Sequence, residues 1–145
     1  MGVATLVTAV EIPVEASVKV EHGIAYIADV VSTDHPYEAS DGHTHHYYTY
    51  STNLKVIALW PADSPIELTS ITLQGSYSHL MVEDGVAMLV SGGSFDVLVL
   101  RTRSGTRVEV LGLYEMNTLI CGFDALDDCI VVAQGVYGTS VLALA

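Results

Sequence analysis

Positively charged residues are scarce in this chain: Lys and Arg number 5 against 17 Asp and Glu, which gives a formal net charge of −12. Proteins bind nucleic-acid backbones and anionic membranes through Lys and Arg. The charge balance therefore predicts neither nucleic acid nor membrane as a partner. An acidic surface suits solubility, a cation or a basic partner.

Long apolar runs and targeting signals are also lacking. No apolar run reaches the ~18 residues that a membrane-spanning helix needs, and no basic segment of a signal peptide follows Met1. No helix-length amphipathic pattern occurs either. The only cysteines are Cys121 and Cys129, which we expect to be buried free thiols. These absences predict a cytoplasmic protein.

Strand-forming residues dominate what is present. Half of the chain is hydrophobic, and Val, Ile, Leu, Thr and Tyr, which strands favour, recur throughout. Three segments share one pattern, in which an apolar strand, a tight acidic or Gly-containing turn and a second apolar strand predict a β-hairpin. These segments are 16–28, 78–90 and 119–133.

Two further strands accompany each hairpin. A third apolar strand follows, at 54–59, 97–100 and 141–144, and a more polar, alternating outer strand precedes, at 5–10, 67–73 and 107–113. The spacing of about 42 to 44 residues is in the range of β-propeller blades. We therefore predict an all-β chain with one domain, 1–145. Its repeats are 1–60, which includes an insertion at 31–52, then 61–104 and 105–145.

The repeat resembles a known family. The strand Asn53–Leu59, the turn and strand Ser64-Pro65-Ile66-Glu67-Leu68 and the hairpin Ser78–Val90 are similar to the LVIVD-type propeller repeat. The resemblance covers almost the whole chain and implies blade-like sheets. It also implies a scaffold or binding platform rather than an enzymatic activity.

Three four-stranded blades are too few for a ring, since propellers have ~4–8. The last blade would lack an outer strand, and the first outer strand would lack a blade. We therefore predict a homodimer that forms one six-bladed ring, in which the first strand of each copy completes the last blade of the other. The predicted interface residues are Thr5, Leu6, Val7, Val10, Val141, Leu142 and Leu144. A β-trefoil, also made of three four-stranded repeats, is the alternative fold.

The insertion at 31–52 concentrates unusual side chains, with four of the six histidines and four of the eight tyrosines. We predict a loop near the start of the inner strands, close to His79. Its predicted contact residues are His35, Tyr37, Tyr47, Tyr48 and Tyr50. Imidazoles at this spacing also suit zinc, copper, nickel or iron. The candidate ligands are His43, His45, His46 and His79, with Glu38 or Asp41 available to complete a site.

The sequence offers no catalytic triad, no phosphate-binding loop and no cofactor motif. The first functional hypothesis is a non-catalytic binding and assembly module that pairs with itself and presents the His/Tyr-rich segment to a protein or ligand. One alternative is a metal-binding protein or metal-dependent enzyme that uses His43, His45 and His46. A structural subunit of a larger assembly is the other.

Overall fold

The computed structural model describes residues 6, 9, 16–91, 96–103, 107–116 and 118–143. These residues form antiparallel β-sheets and one short 3₁₀ turn, Gly135–Tyr137. Sheet A contains β1 (Ser17–Glu21), β2 (Ile24–Glu38), β3 (Thr44–Ala58) and β4 (Ile66–Gln74). Sheet B contains β5 (His79–Glu83), β6 (Val86–Val90), β7 (Val97–Arg103) and β8 (Arg107–Tyr114). Sheet C contains β9 (Gly122–Ala125), β10 (Cys129–Ala133) and β11 (Thr139–Ala143). The all-β prediction is confirmed.

Each sheet is a meander in which consecutive strands are neighbours. The predicted outer strands 67–73 and 107–113 lie in β4 and β8, which pair with the third strands β3 and β7 of the preceding repeats. In sheet C the equivalent third strand, β11, pairs with β10, and no described residue pairs along its other edge. The predicted outer strand at 5–10 lies outside the described residues apart from Leu6 and Ala9.

The first two hairpins turn through a residue pair that needs positive φ. His22-Gly23 has φ values of 48° and 76°, and Asp84-Gly85 has 49° and 74°. Two positive φ values in succession define the tight turns whose twist matches that of the flanking strands. A side chain at Gly85 would also be crowded, because a Cβ atom there would lie 3.1 Å from the backbone carbonyl oxygen of Thr102.

Sheet B lies between the other two sheets, and its strand β6 is buried on both faces. One apolar cluster joins it to sheet A, with Tyr26 and Leu54 of sheet A packed against Leu89 and Leu100 of sheet B. A second cluster joins the opposite face of sheet B to sheet C, through Met88 and Ile130 among others. All five residues of β6 are buried for this reason. The continuous apolar run that the sequence shows here is therefore a strand covered on both faces.

The two outer faces of this stack are less well covered. On sheet A, a small cluster of Ala25, Ile27 and Ile57 is buried, but Val18 and Val20 of the adjacent β1 are exposed. On sheet C, Val131 pairs with Val141 on the face turned away from the core, and Val141 is 65% exposed. Both ends of the stack therefore present valine to solvent.

Three local expectations differ from the structure. Strand β9 begins at Gly122, later than the predicted start at 119. Ile120 precedes the strand and is buried in the second cluster. Both cysteines are free, but Cys121 is exposed and Cys129 only half-buried. The segment 31–52 forms strand, as described below. Among the described residues, no helix has the length and apolar character needed to cross a bilayer.

Candidate functional site: the His/Tyr arm

The insertion is a β-hairpin rather than a loop. Strands β2 and β3 continue as a pair out to Glu38 and Thr44, so residues 31–52, here called the arm, extend sheet A beyond the stacked core. Thr and Tyr, which favour strand structure, make up six of the nine residues at 44–52 on the β3 side of the arm. The arm ends in a turn at residues 39–43, where the amide of Ala39 donates to the carbonyl of His43 at 3.1 Å and Gly42 has a φ of +76°.

The strand register divides the arm into two faces. Residues directly opposite in an antiparallel pair lie on the same face, and neighbours along a strand alternate. One face, the His/Tyr face, carries the pairs His35–Tyr47 and Tyr37–His45. The other, the Asp34 face, carries Asp34–Tyr48, Pro36–His46 and Ser32–Tyr50. The predicted contact residues are therefore split, with Tyr48 and Tyr50 opposite the rest.

Ring contacts hold the His/Tyr face together. His35 stacks on Tyr47 with ring centres 4.7 Å apart and planes 14° apart. Tyr37 lies 6.0 Å from Tyr47 and 5.7 Å from His45. His35 Nε2 also forms a 2.8 Å hydrogen bond with Thr49 Oγ1. These contacts replace a buried core, since Tyr37 and Tyr47 remain about half exposed.

Two carboxylates fix the histidines near the tip. The amide of His43 donates to Asp41 Oδ1 at 2.9 Å, and His45 Nε2 donates to Asp41 Oδ2 at 2.8 Å. These donors, the His43 amide above all, lower the pKa of the Asp41 carboxyl below its ordinary value. On the Asp34 face, His46 Nδ1 lies 2.9 Å from both carboxylate oxygens of Asp34.

The four histidines predicted as metal ligands do not form one cluster. His45 and His46 project from opposite faces of the arm, and His79 is exposed at the start of β5. Among the described residues, the groups of three with ligand atoms within 4.8 Å of one another lie elsewhere. They are Glu21, His22 and Asp84, and Glu83, Asp84 and Asp124. A metal at the arm stays a prediction.

The proximity of these two acidic turns was not predicted from the sequence. The carboxylate of Glu21 accepts hydrogen bonds from the amides of Asp84 at 3.0 Å and Gly85 at 2.7 Å, so the β1–β2 and β5–β6 turns touch. The signal was available, because an acidic residue precedes the glycine turn in both hairpins. What the sequence does not reveal is that β1 and β5 lie side by side.

The predicted interface residues fall into three groups. Val141 is exposed on the outer face of sheet C, and Leu142 is half-buried against the second cluster. Leu6 is 82% exposed. The remaining four, Thr5, Val7, Val10 and Leu144, lie outside the described residues.

A cavity of 340 Å³ lies at the base of the arm. Its walls come from three separate segments: Ser17 at the start of β1, the arm and its root on β2 and β3, and the link between β4 and β5, which contributes Ser76 and Ser78. The sequence analysis missed it, since nothing in the spacing of these residues shows that they meet.

Comparisons with known proteins identify no relative: no protein-family model matches the chain, and neither curated proteins nor solved structures give a match.

Proposed function

We propose that this chain is a non-catalytic binding and assembly module, a half-propeller that pairs with a second copy and presents the arm to a partner. The observation that carries the proposal is the serial stacking of three twisted sheets whose two outer faces both expose valine. Stacked open sheets are typical of propeller blades, whereas a β-trefoil needs a closed barrel. The resemblance to LVIVD-type repeats supports the same architecture.

The two outer faces suit each other chemically. Val18 and Val20 are 39% and 59% exposed on sheet A, and Val141 is 65% exposed on sheet C. Valine side chains on a sheet face are stabilised by packing against another sheet about 10 Å away. If sheet A of one copy covers sheet C of the other, a twofold axis generates two equal contacts and closes a six-sheet ring.

The outer edge of β11, along which no described residue pairs, adds a second reason for pairing. Its counterparts β3 and β7 each carry a fourth strand, and an unpaired edge readily accepts another strand. In the proposed dimer this strand is supplied by residues 5–10 of the neighbouring copy.

The arm is the surface that we propose for partner contact. Tyr37, Tyr47, Tyr48 and Tyr50 are each about half exposed, between 47% and 54%. Tyrosine supplies large, amphipathic contact area at a low cost in conformational entropy. The ring contacts order Tyr37 and Tyr47 beforehand, which lowers the entropic cost of binding through these two residues.

The oligomeric state tests the assembly. Size-exclusion chromatography with light scattering is expected to give twice the 15.5 kDa chain mass. Val20→Glu or Val141→Glu buries a charge in the proposed contact and is expected to weaken the dimer by at least ~10-fold in Kd. Val110→Glu, on a residue of β8 that is also exposed, is the matched control and leaves the mass unchanged.

Other outcomes decide between the hypotheses. A monomer in the parent protein contradicts the half-propeller proposal, and oligomers larger than a dimer favour the structural-subunit alternative. The double variant Tyr37→Ser/Tyr47→Ser tests the arm separately. It is expected to leave the dimer mass unchanged, because a partner surface is distinct from the subunit contact.

A further inference from the structure

Most of the described residues that line the cavity at the base of the arm carry a hydroxyl group. They are Ser17, Ser32, Ser76, Ser78 and Tyr50, and Ala28 and Val30 also contribute. None of these side chains carries a charge at neutral pH, although Asp and Glu number 17 in the chain. The described part of the wall is therefore neutral and polar in a strongly acidic protein.

The hydroxyls of this wall are largely unused by the protein itself. Among the described residues, Ser17 Oγ donates to the backbone carbonyl of Ser78 at a long 3.4 Å, and the side-chain hydroxyls of Ser32, Ser76 and Ser78 form no hydrogen bond. These hydroxyls are consequently available to a ligand.

The wall that carries Ser76 and Ser78 is held in place from behind. Gly75 donates its amide to the carbonyl of Tyr50 at 2.8 Å. The fully buried Thr52 then accepts from the amide of Tyr77 at 2.9 Å and donates to the carbonyl of Gly75 at 2.8 Å. Tyr77 is buried in the first apolar cluster. The segment 75–78 is thus fixed to β3, which makes the cavity a built feature.

We propose that this cavity binds a neutral polyhydroxylated ligand the size of a monosaccharide. A serine hydroxyl both donates and accepts hydrogen bonds, so an array of serines matches a ligand whose own groups do both. The ring of Tyr50 and the side chains of Ala28 and Val30 offer the apolar contact that the carbon face of a sugar ring needs. A volume of 340 Å³ is at the small end of the ~300–1,000 Å³ range of ligand pockets. The net charge of −12 disfavours an anionic ligand of the same size.

Three probes of similar ring size test the chemistry. Methyl β-D-glucopyranoside carries hydroxyls and no charge, D-glucuronate adds a carboxylate, and cyclohexanol keeps the ring with one hydroxyl. In ¹H–¹⁵N correlation spectra of the full chain, the glucopyranoside is expected to shift the amides of residues 75–78 saturably. Glucuronate and cyclohexanol are expected to bind at least ~5-fold more weakly. For cyclohexanol this corresponds to the loss of about one hydrogen bond, and for glucuronate to a similar free energy of repulsion between its carboxylate and the acidic protein. Equal binding of either control probe overturns the proposal.

Variants locate the site. Ser76→Ala/Ser78→Ala removes two hydroxyls and is expected to raise the Kd at least ~10-fold, and Ser70→Ala, an exposed serine of β4 paired with Lys55, is the matched control. Tyr50→Leu removes the ring, whereas Tyr50→Phe keeps it and should retain most of the affinity. Tyr50 is about half exposed, so its variants are informative even if the serine pair perturbs folding. Absence of saturable shifts at residues 75–78 with the glucopyranoside, or unchanged affinity in both Ser76→Ala/Ser78→Ala and Tyr50→Leu, would refute the assignment.

Discussion

The hydroxyl of Tyr26 lies 2.8 Å from Oγ1 of Thr102, a hydrogen bond that joins sheet A to sheet B at the edge of their shared apolar cluster. Tyr26 is only 1% exposed, so its hydroxyl needs a partner inside the protein. The bond thus satisfies a buried polar group and fixes how the two sheets lie against each other.

Tyr26→Phe removes this bond and leaves Thr102 half-buried without its partner. We expect a loss of about 1 kcal/mol in the free energy of unfolding, measured by urea denaturation. Thr102→Val is the complementary change, and the double variant should lose less than the sum of the two single variants. Fully additive losses would show that the two hydroxyls do not interact.

The same tyrosine predicts a pH dependence. Burial raises the pKa of Tyr26 above the ordinary tyrosine value, against the lowering effect of the Thr102 hydrogen bond. Because the pKa of Tyr26 is higher in the folded than in the unfolded protein, the protonated Tyr26 hydroxyl contributes fully to stability below about pH 10. That contribution is lost as the pH rises through the pKa of the folded state. The parent should therefore lose more stability than Tyr26→Phe between neutral pH and pH 11. Parallel stability curves would contradict this.

The turn contact between Glu21 and the β5–β6 hairpin gives a further prediction. The Glu21 carboxylate accepts two amide hydrogen bonds, from Asp84 and Gly85. Glu21→Ala should cost about 1–2 kcal/mol, measured by thermal or urea unfolding, and should speed amide exchange at Gly85. Glu83→Ala, an exposed glutamate at the matching position of β5, is the control and should have a smaller effect. Equal losses in both variants would show that the two-amide contact is not what stabilises the turn.

These interactions show what sequence patterns do and do not predict. The apolar strands were predictable because buried strands such as β6 require continuous apolar residues. The strand character of the arm was missed, since its side chains do not alternate between apolar and polar. Stacking of His35 on Tyr47 and the hydrogen bonds of Asp34 and Asp41 take the place of a core.

The candidate site was predictable in part for a similar physical reason. The composition of residues 31–52 marks the arm, and strand alternation predicts that His45 and His46 point to opposite sides. The cavity and the acidic turns were not predictable. They depend on which strands stack, and stacking is determined by contacts between residues distant in sequence, such as Glu21 with Gly85.

The tip of the arm gives another prediction, on Asp41. Hydrogen bonds from the His43 amide and the His45 ring lower the pKa of this carboxyl. Because the pKa of Asp41 is lower in the folded than in the unfolded protein, its ionised carboxylate stabilises the tip fully above the ordinary aspartate pKa of about 4. This stabilisation is lost as the pH falls through the lower pKa of the folded state. A ¹³C titration of the side-chain carboxyl should show a midpoint below the ordinary value. In His45→Ala the midpoint should be higher than in the parent but still below the ordinary value, because the hydrogen bond from the His43 amide remains. An ordinary midpoint in the parent would contradict the geometry.

The strand register also constrains the metal hypothesis. Because His45 and His46 lie on opposite faces of the arm, one ion cannot take both from a single copy. If zinc or copper binds the arm through the His/Tyr face, isothermal titration should show weaker binding in His45→Ala and unchanged binding in His46→Ala. If the heat of metal binding persists in the triple variant His43→Ala/His45→Ala/His46→Ala, the metal binds at another site. If that heat is lost in His22→Ala, the site is the turn formed by Glu21, His22 and Asp84. No heat in the parent removes the metal hypothesis.

The buried hydroxyl of Thr52 gives the last prediction, because it links the arm root to the segment behind the cavity. Its Oγ1 accepts from the Tyr77 amide and donates to the Gly75 carbonyl, and the residue is fully buried. Thr52→Val keeps the shape of the side chain but leaves the Tyr77 amide and the Gly75 carbonyl without their hydrogen-bond partner. This should lower the free energy of unfolding by about 1–3 kcal/mol. Thr52→Ser keeps both bonds and loses only a methyl group, about 1 kcal/mol. Amide exchange at Tyr77 separates the two effects: it should accelerate in the valine variant beyond the change in global stability and follow global stability in the serine variant. Equal acceleration in both would mean that packing, and not the hydroxyl, holds this segment.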